Sequence, residues 1–475
     1  MRNKITAYIY QTLPPTTATV ATAVIAGERG RISRQQTQEY RDAGLAHFLA
    51  ISGLHMGMIA GLMFLCVRWV LACFPKIALR YNTKKIAAVF AMVISFIYLI
   101  ISGWQISTQR AFIMTFLVLS GVLFGRRAIS MRMVAWAGLI LLILEPQVLI
   151  SAGFQMSFAA VIMLVAFYEK YAVKFSQTTA KASKSHYFMK ILHIIGYYLA
   201  GILVADFVAS LATLPFVIYH FNRVSVYTSL ANLLAGPIIG LWIMPMVLIV
   251  LLLIPCGLAK YPLILTGYGI DIVNQITQKI SHLDHASWQV LSMPDWGLLL
   301  IVFGGLWVAI WQKIWRHWGW LFIVIGFSSI LLVRKPLLLT DDGAKTFALQ
   351  DNFGKMVILP NRGNYFTKQM WLEKFAESPL SEEKRQRLSS IYKGKIKDKT
   401  WITLECQKDI CVYNSAISLH KKGGISINGK DYTESAPLAV YVNNGTYNVQ
   451  KIYDIFGHRY WTSVISSQNV QNSIK

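Results

Sequence analysis

The chain has 475 residues, of which 55% are hydrophobic, 13% aromatic and only 14% charged. Soluble domains carry about 25% charged residues. The shortfall, with a mean hydropathy of +0.46, excludes an ordinary soluble globular protein, and the wealth of Trp, Phe and Ile excludes a disordered or fibrous chain. Forty-six Lys and Arg against 22 Asp and Glu leave a net charge of +24, and five cysteines fit neither a disulfide scaffold nor a zinc finger.

In chain order, residues 1–45 carry six basic residues (Arg2, Lys4, Arg29, Arg31, Arg34 and Arg41). Met1-Arg2-Asn3-Lys4 is not followed by an apolar core adequate for a signal peptide. This segment is expected to associate with a membrane surface. Apolar runs near 47–74, 86–102, 107–124, 133–150, 153–168, 191–219, 226–254, 258–283, 297–312 and 319–333 follow. A crossing helix needs about 20 apolar residues, so about ten transmembrane helices are predicted over 46–333. The run 258–283 fits least well, because Asp271, Asn274, Gln275 and Gln278 interrupt it. It is the one expected to lie in the interface if it does not cross.

Loop charge sets orientation. Lys and Arg number four in 75–85, one before Ala111, three in 125–132, none at 151–152, five in 169–190 and one in 220–225. That alternation puts 75–85, 125–132 and 169–190 in the cytoplasm, and ten crossings then leave both chain ends outside. Residues 334–475 have ordinary soluble composition, with 21 basic and 13 acidic residues. Alternation at 345–349 and 355–359, a helical pattern over 367–392, and short strands near 401–405, 411–419, 438–442 and 459–465 predict a small α+β tail. The fold class is therefore an all-α polytopic membrane domain followed by that tail.

The stretch His47 to His55 holds the densest chemistry. Gly53, Gly57 and Gly61 recur at spacing four, a small-residue stripe that lets a partner backbone approach inside a bilayer. Ser52 stands one turn from His55, and a packing role for that pair stands beside a functional one. Elsewhere, intramembrane polar groups are scarce and hence informative. Asp206 lies beside a second stripe, Gly201, Ala205, Ala209 and Thr213, and needs a partner, for which Arg110 is a candidate. Gln105, Gln109, Gln155, Ser157, Asn222 and Asn232 could line an aqueous path or serve as interhelical glue. Pro215, Pro237 and Pro245 are expected to break helices. Trp307, Trp311, Trp315, Trp318 and Trp320 read as an interfacial belt around a short loop. Cys66 and Cys73 read as core, and Cys406 and Cys411 as a candidate disulfide if the tail is outside.

Ala46-His47-Phe48-Leu49-Ala50-Ile51-Ser52-Gly53-Leu54-His55 resembles the signature of the ComEC family of competence proteins, inner-membrane channels that pass single-stranded DNA into bacteria during transformation. The likeness continues in register through Ser107-Thr108-Gln109-Arg110-Ala111, through Glu145-Pro146 with Gly153-Phe154-Gln155-Met156-Ser157-Phe158, through Leu211-Ala212-Thr213-Leu214-Pro215, and through Asn232-Leu233-Leu234-Ala235-Gly236-Pro237. It covers about residues 1–333.

The resemblance implies a multi-pass protein of the cell inner membrane, with single-stranded DNA and the lipid bilayer as partners. A DNA-receptor protein, a cytoplasmic ATPase or helicase, and further copies of the chain are candidate partners too. No Walker motif is present, so energy is expected from a partner ATPase or the membrane potential. Typical members begin with membrane helices and a small β-barrel-like domain; here the core starts almost at Met1, and that module is expected to be missing or encoded elsewhere.

Many members end in a metallo-β-lactamase-like domain, which needs His-x-His-x-Asp-His to hold its metals. The tail has only His420 and His458, and His282-Leu283-Asp284-His285 falls short with Ile at 280. No nuclease activity, metal or other cofactor is expected. Three alternatives stand beside the DNA channel: a small-solute transporter coupled through Asp206, a membrane enzyme built on Ser52 and His55, and a relic of the channel without function.

Overall fold

The computed structural model describes residues 2–125, 130–181, 187–311, 313–341, 346–359, 365–377, 382–394, 401–407, 409–421, 423–432, 437–443 and 446–451. Arg126 and Arg127, His458 and the expected strand at 459–465 lie outside them. The chain divides into two units. One comprises 1–220, 224–288 and 298–327; the other comprises 221–223, 289–297 and 328–475. The boundary expected at 333/334 therefore has two further crossings, where short segments leave the first unit.

The first unit is helical: α1 (Arg2–Thr12), α2 (Pro15–Ala26), α3 (Arg34–Asp42), α4 (Gly53–Ala72), α5 (Pro75–Arg80), α6 (Thr83–Ile101), α7 (Ile106–Leu123), α8 (Met131–Leu144), α9 (Ala152–Lys181), α10 (Tyr187–Phe221), α11 (Thr228–Ile238), α12 (Met244–Leu253), α13 (Lys260–Ser281), α14 (Asp295–Ile310) and α15 (Trp318–Ser328). Short strands β1 (Arg223–Ser225) and β2 (Ser287–Gln289) pair. Local chemistry starts and stops these helices. Ser33 Oγ accepts from the Gln36 amide at 3.1 Å, Asn82 Oδ1 accepts from the Lys85 amide at 3.3 Å, and Gly27 at φ 71° closes α2.

Among the described residues, seven helical stretches are long and apolar enough to cross a membrane: Gly53–Ala72, Thr83–Ile101, Ile106–Leu123, Ala152–Lys170, Ala200–Phe221, Thr228–Cys256 and Ile314–Leu332. The other three expected crossings are the shorter apolar helices α8 and α14, and the more polar α13. Pro215 sits inside the continuous α10 and breaks nothing. Pro237 and Pro245 instead bracket a π-helical turn at Ile239–Ile243, a local unwinding that the missing proline amides favour.

Part of the segment 1–45 packs into the helical core. Val20, Ala21, Val24 and Ile25 of α2 are buried in the main core with Leu263, Ile270 and Val273 of α13. The polar residues that made 258–283 doubtful explain why. The Thr17 hydroxyl donates to Asp271, and the Tyr40 hydroxyl donates to Asn274 Oδ1 at 2.7 Å. Gln36 Nε2 also reaches Asn274 Oδ1, at 3.4 Å. Positions 271 and 274 share a face one turn apart, and that face carries the N-terminal helices.

Glycine packing also differs from expectation. An added Cβ at Gly53, Gly57, Gly61 or Gly201 would meet nothing within 4 Å. In α4 the inward stripe is His55, Met56, Ile59 and Ala60, so the glycines face away. Close backbone approach occurs instead between α14 and α15, where a Cβ on Gly304 would stand 2.5 Å from the Gly319 carbonyl oxygen. Cys66 and Cys73, expected in the core, are exposed. A face turned to lipid is as apolar as one turned to a neighbour, so composition does not separate the two. Gly57→Leu is accordingly expected to accumulate in membranes at the parental level, since a substitution into open space shifts stability by about 0.5 kcal/mol or less. Immunoblotting of membrane fractions checks this; loss of the protein would restore the packing role.

The second unit is β-rich. Its strands are β3 (Leu338–Thr340), β4 (Phe347–Gln350), β5 (Met356–Ile358), β6 (Leu404–Gln407), β7 (Ile410–Tyr413), β8 (Ile417–His420), β9 (Ile425–Ile427), β10 (Lys430–Asp431), β11 (Leu438–Asn443) and β12 (Thr446–Lys451). They form two antiparallel five-stranded sheets, ordered β12-β11-β3-β4-β5 and β10-β9-β8-β7-β6. The strand expected over 411–419 is two strands. The helix expected over 367–392 is also two, α16 (Tyr365–Lys374) and α17 (Glu382–Tyr392). Asn428 and Gly429, at φ 51° and 81°, make the tight turn between β9 and β10 that Asn-Gly encodes. In β7, burial alternates from exposed Ile410 and Val412 to buried Cys411 and Tyr413. Cys406 stands opposite Cys411 in the β6–β7 register and is disulfide-bonded to it, S–S 2.03 Å.

Candidate functional site

The loop before α4 is anchored by buried Leu45, Phe48, Leu49 and Ile51, which leaves His47 accessible. Gly44 allows the loop to start, at φ +79°, with the Thr228 and Ser225 side chains against its α-carbon. Ser225 Oγ donates to the Asp42 carbonyl at 2.7 Å, and Ser287 Oγ donates to Asp42 Oδ1 at 2.8 Å. Segments around 42–44, 225–228 and 287 thus meet at one end of the helical unit, beside His47.

The two histidines do different work. His47 Nδ1 lies 3.2 Å from the Gly44 carbonyl, which only accepts, so this nitrogen carries a proton and Nε2 is left as an acceptor. The ring also lies within the electrostatic reach of Asp206. His55 is buried. Its Nδ1 accepts from the Ser52 amide at 3.2 Å and lies 3.0 Å from Ser52 Oγ. Ser52 and His55 form a reciprocal cap on α4. That is a packing role, while His55 Nε2 is buried without a hydrogen-bond partner.

Asp206 does not meet Arg110. Asn232 Nδ2 donates to Asp206 Oδ1 at 2.5 Å, and Oδ2 is buried with no hydrogen-bond partner. Arg110 instead reaches Ser151 Oγ at 3.5 Å and feels the charge of Glu145. A Cβ on Gly153 would stand 2.6 Å from its Nη2, so a larger residue there would make the guanidinium shift. His220 Nε2 donates to Gln155 Oε1 at 2.7 Å, and Gln155 Nε2 donates to the Leu149 carbonyl at 3.1 Å. Gln109 caps locally on the Trp104 carbonyl at 2.9 Å. Gln105 reaches the Gly27 carbonyl and so holds the end of α2.

Segments far apart in sequence are therefore paired by polar contacts: Arg110 with Ser151, Gln155 with His220, Asp206 with Asn232, and His47 within the field of Asp206. Pro237 lies five positions beyond Asn232, at the entry to the π turn. The contacts of α2 and α3 with α13 were not read from the sequence. Their only signal was the spacing of Asp271 and Asn274. Among the described residues, no group of three or more His, Cys, Asp or Glu could hold a metal ion. Trp311, Trp315, Trp318 and Trp320 are exposed around the α14–α15 loop, and Trp307 Nε1 donates to the Trp315 carbonyl at 2.8 Å.

Comparison with known proteins adds a family match. The family described as Competence protein matches residues 24–315. The chain is 26% identical over 246 residues to ComE operon protein 3 of Bacillus subtilis, covering 52% of this chain and 28% of that protein. It is 26% identical over 228 residues to Recombination protein 2 of Haemophilus influenzae, covering 48% and 27%. Competence protein ComA of Neisseria gonorrhoeae is 29% identical over 144 residues, covering 30% and 20%. The chain thus spans well under a third of the length of each of these relatives. No solved structure matches it.

Proposed function

The chain belongs to the Competence protein family, and from that premise we propose that it is a multi-pass inner-membrane channel that passes single-stranded DNA into the cytoplasm during natural transformation. The observation that carries this reading is the half-buried polar pair Asp206–Asn232 with His47 close by, set on membrane-length helices beside the π turn. A conduit for a polyanion needs a polar wall that contacts its cargo without holding it tightly. An amide and an imidazole can contact phosphates without clamping them, and the carboxylate opposes tight binding of a polyanion. Gln155 and His220 form a second polar pair between helices. The test is a clean deletion, assayed for cytoplasmic entry of labelled DNA. Entry should stop and return on complementation; unchanged entry would overturn the proposal.

A small-solute transporter is the second reading, favoured by the unpartnered Oδ2 of Asp206, which suits a coupling cation. Ion-dependent solute uptake in vesicles, with no DNA phenotype, would select it.

We further propose ten crossings, counting α8, α13 and α14, with both ends outside. Reporter fusions at Lys181 and Gly343 are expected on opposite sides. The Cys406–Cys411 disulfide fits a tail in an oxidising compartment. Alkylation of denatured, unreduced protein is expected to label the exposed Cys66, Cys73 and Cys256 but not the tail pair. Labelling of all five cysteines would move the tail to the cytoplasm.

The chain is also proposed to cut no DNA. Purified protein supplied with magnesium, manganese or zinc should leave single-stranded DNA intact, and cleavage lost on replacing His420 would reverse that view.

A further inference from the structure

One buried cation is left nearly without partners. Arg110 of α7 is only 9% exposed. Its Nη1 reaches Ser151 Oγ at 3.5 Å, the limit of a hydrogen bond, and its Nε has no partner. Ser151 Oγ is itself engaged, donating to the Val148 carbonyl at 2.7 Å and accepting from the Phe154 amide at 3.3 Å. Glu145 acts on the guanidinium through space but makes no ion pair with it among the described residues. The guanidinium lies against the first turn of α9, where a Cβ on Gly153 would stand 2.6 Å from Nη2 and 3.1 Å from Nη1. That turn is the positive end of a 30-residue helix and carries no acidic residue. Ser151 caps the Phe154 amide, whereas helix geometry leaves the amides of Ala152 and Gly153 without an intrahelical acceptor. Both residues are half-buried, so the turn is open to a ligand. A guanidinium set on a positive helix end is unfavourable until a negative group joins the two, and a buried charge needs a partner.

Resting on the channel reading, we propose that Arg110 and the first turn of α9 bind one phosphate group of the passing single strand. Arg110 supplies charge-assisted hydrogen bonds, and α9 supplies the amides of Ala152 and Gly153. Two observations favour a strand over a lipid headgroup. The guanidinium is buried among helices rather than set on their outer surface. The same turn of α9 carries Gln155, which is bonded to His220 of α10 at 2.7 Å, so this end of α9 faces protein. With 125–132 and 169–190 in the cytoplasm, the starts of α7 and α9 share the opposite side, where a strand enters. Glu145 sets the strength of the grip: its carboxylate competes with the phosphate for Arg110, so the strand is contacted and released.

The test uses the full chain in nanodiscs of zwitterionic lipid and a fluorescein-labelled 20-mer of thymidine, read by anisotropy. Arg110→Gln should weaken binding about 10-fold or more, the effect of losing a hydrogen bond to a charged group. Ala152→Pro removes one amide at a helix position that accepts proline, and should weaken binding about 2- to 10-fold. Glu145→Gln removes the competing carboxylate and should tighten it. A parent that does not bind the oligonucleotide, or a folded Arg110→Gln protein that binds as the parent does, overturns the proposal. If Arg110→Gln misfolds, the other two variants decide, and parental affinity in both overturns it. Two further outcomes do so as well, each with oligonucleotide affinity unchanged across the variants. In one, inorganic phosphate raises the melting temperature in an Arg110-dependent way, which marks a site for the free ion only. In the other, phosphatidylglycerol in the nanodisc does so, which marks a lipid contact. DNA entry in the deletion strain is measured separately, so a failed binding test leaves the channel reading standing, and a failed entry test leaves the binding result to be read by itself.

Discussion

Replacing Gly44 by Ala is expected to remove most of the protein from the membrane. The residue sits at φ +79°, and a methyl group there would overlap the Thr228 side chain. A left-handed backbone costs an L-residue about 1–2 kcal/mol. Overpacking a tight contact adds about 1–3 kcal/mol. Together these are a large share of the roughly 5–15 kcal/mol that holds a domain folded. The two causes are separable. Adding Thr228→Gly to Gly44→Ala removes the steric part and leaves the backbone part, so the double variant should recover part of the lost protein. Quantitative immunoblotting of membranes, with melting in detergent, measures both. A Gly44→Ala protein as abundant and stable as the parent would refute the geometry of this loop.

Replacing Asp206 by Leu should have the opposite profile, with normal protein and no uptake. Hydrogen bonds between helices in a membrane contribute about 0.6 kcal/mol on average, so losing the bond from Asn232 to Asp206 barely affects folding. Asp206→Asn keeps a partner for Asn232 and removes the charge, and comparing the two separates the carboxylate from the hydrogen bond. Labelled DNA reaching the cytoplasm should fall to the level of the deletion strain in Asp206→Leu. Full uptake in both variants would remove the pair from any conduit.

Much of the plan was legible before the fold was known. Long apolar runs located the membrane-length helices because a crossing helix is a local, one-dimensional signal. The Asn428-Gly429 turn and the facing of Cys406 and Cys411 across a hairpin were readable because only a few neighbouring residues decide them. The blocks from His47 to Pro237 marked the family for the same reason: they are contiguous words.

What tertiary structure decided was the pairing. Asp206 could have met Arg110, but the fold gives it Asn232 and leaves Arg110 over Gly153. Gly53, Gly57 and Gly61 carry the spacing of a packing stripe and face open space, whereas Gly304 and Gly319, fifteen positions apart on two helices, make the close contact. Helix α2 is only twelve residues long and follows a basic start, yet it is core, because Asp271 and Asn274 of α13 supply the partners for Thr17 and Tyr40. In each case the determining atom lies on another helix. In a membrane protein, outward and inward faces are equally apolar, so hydropathy by itself cannot say which face meets lipid and which meets protein.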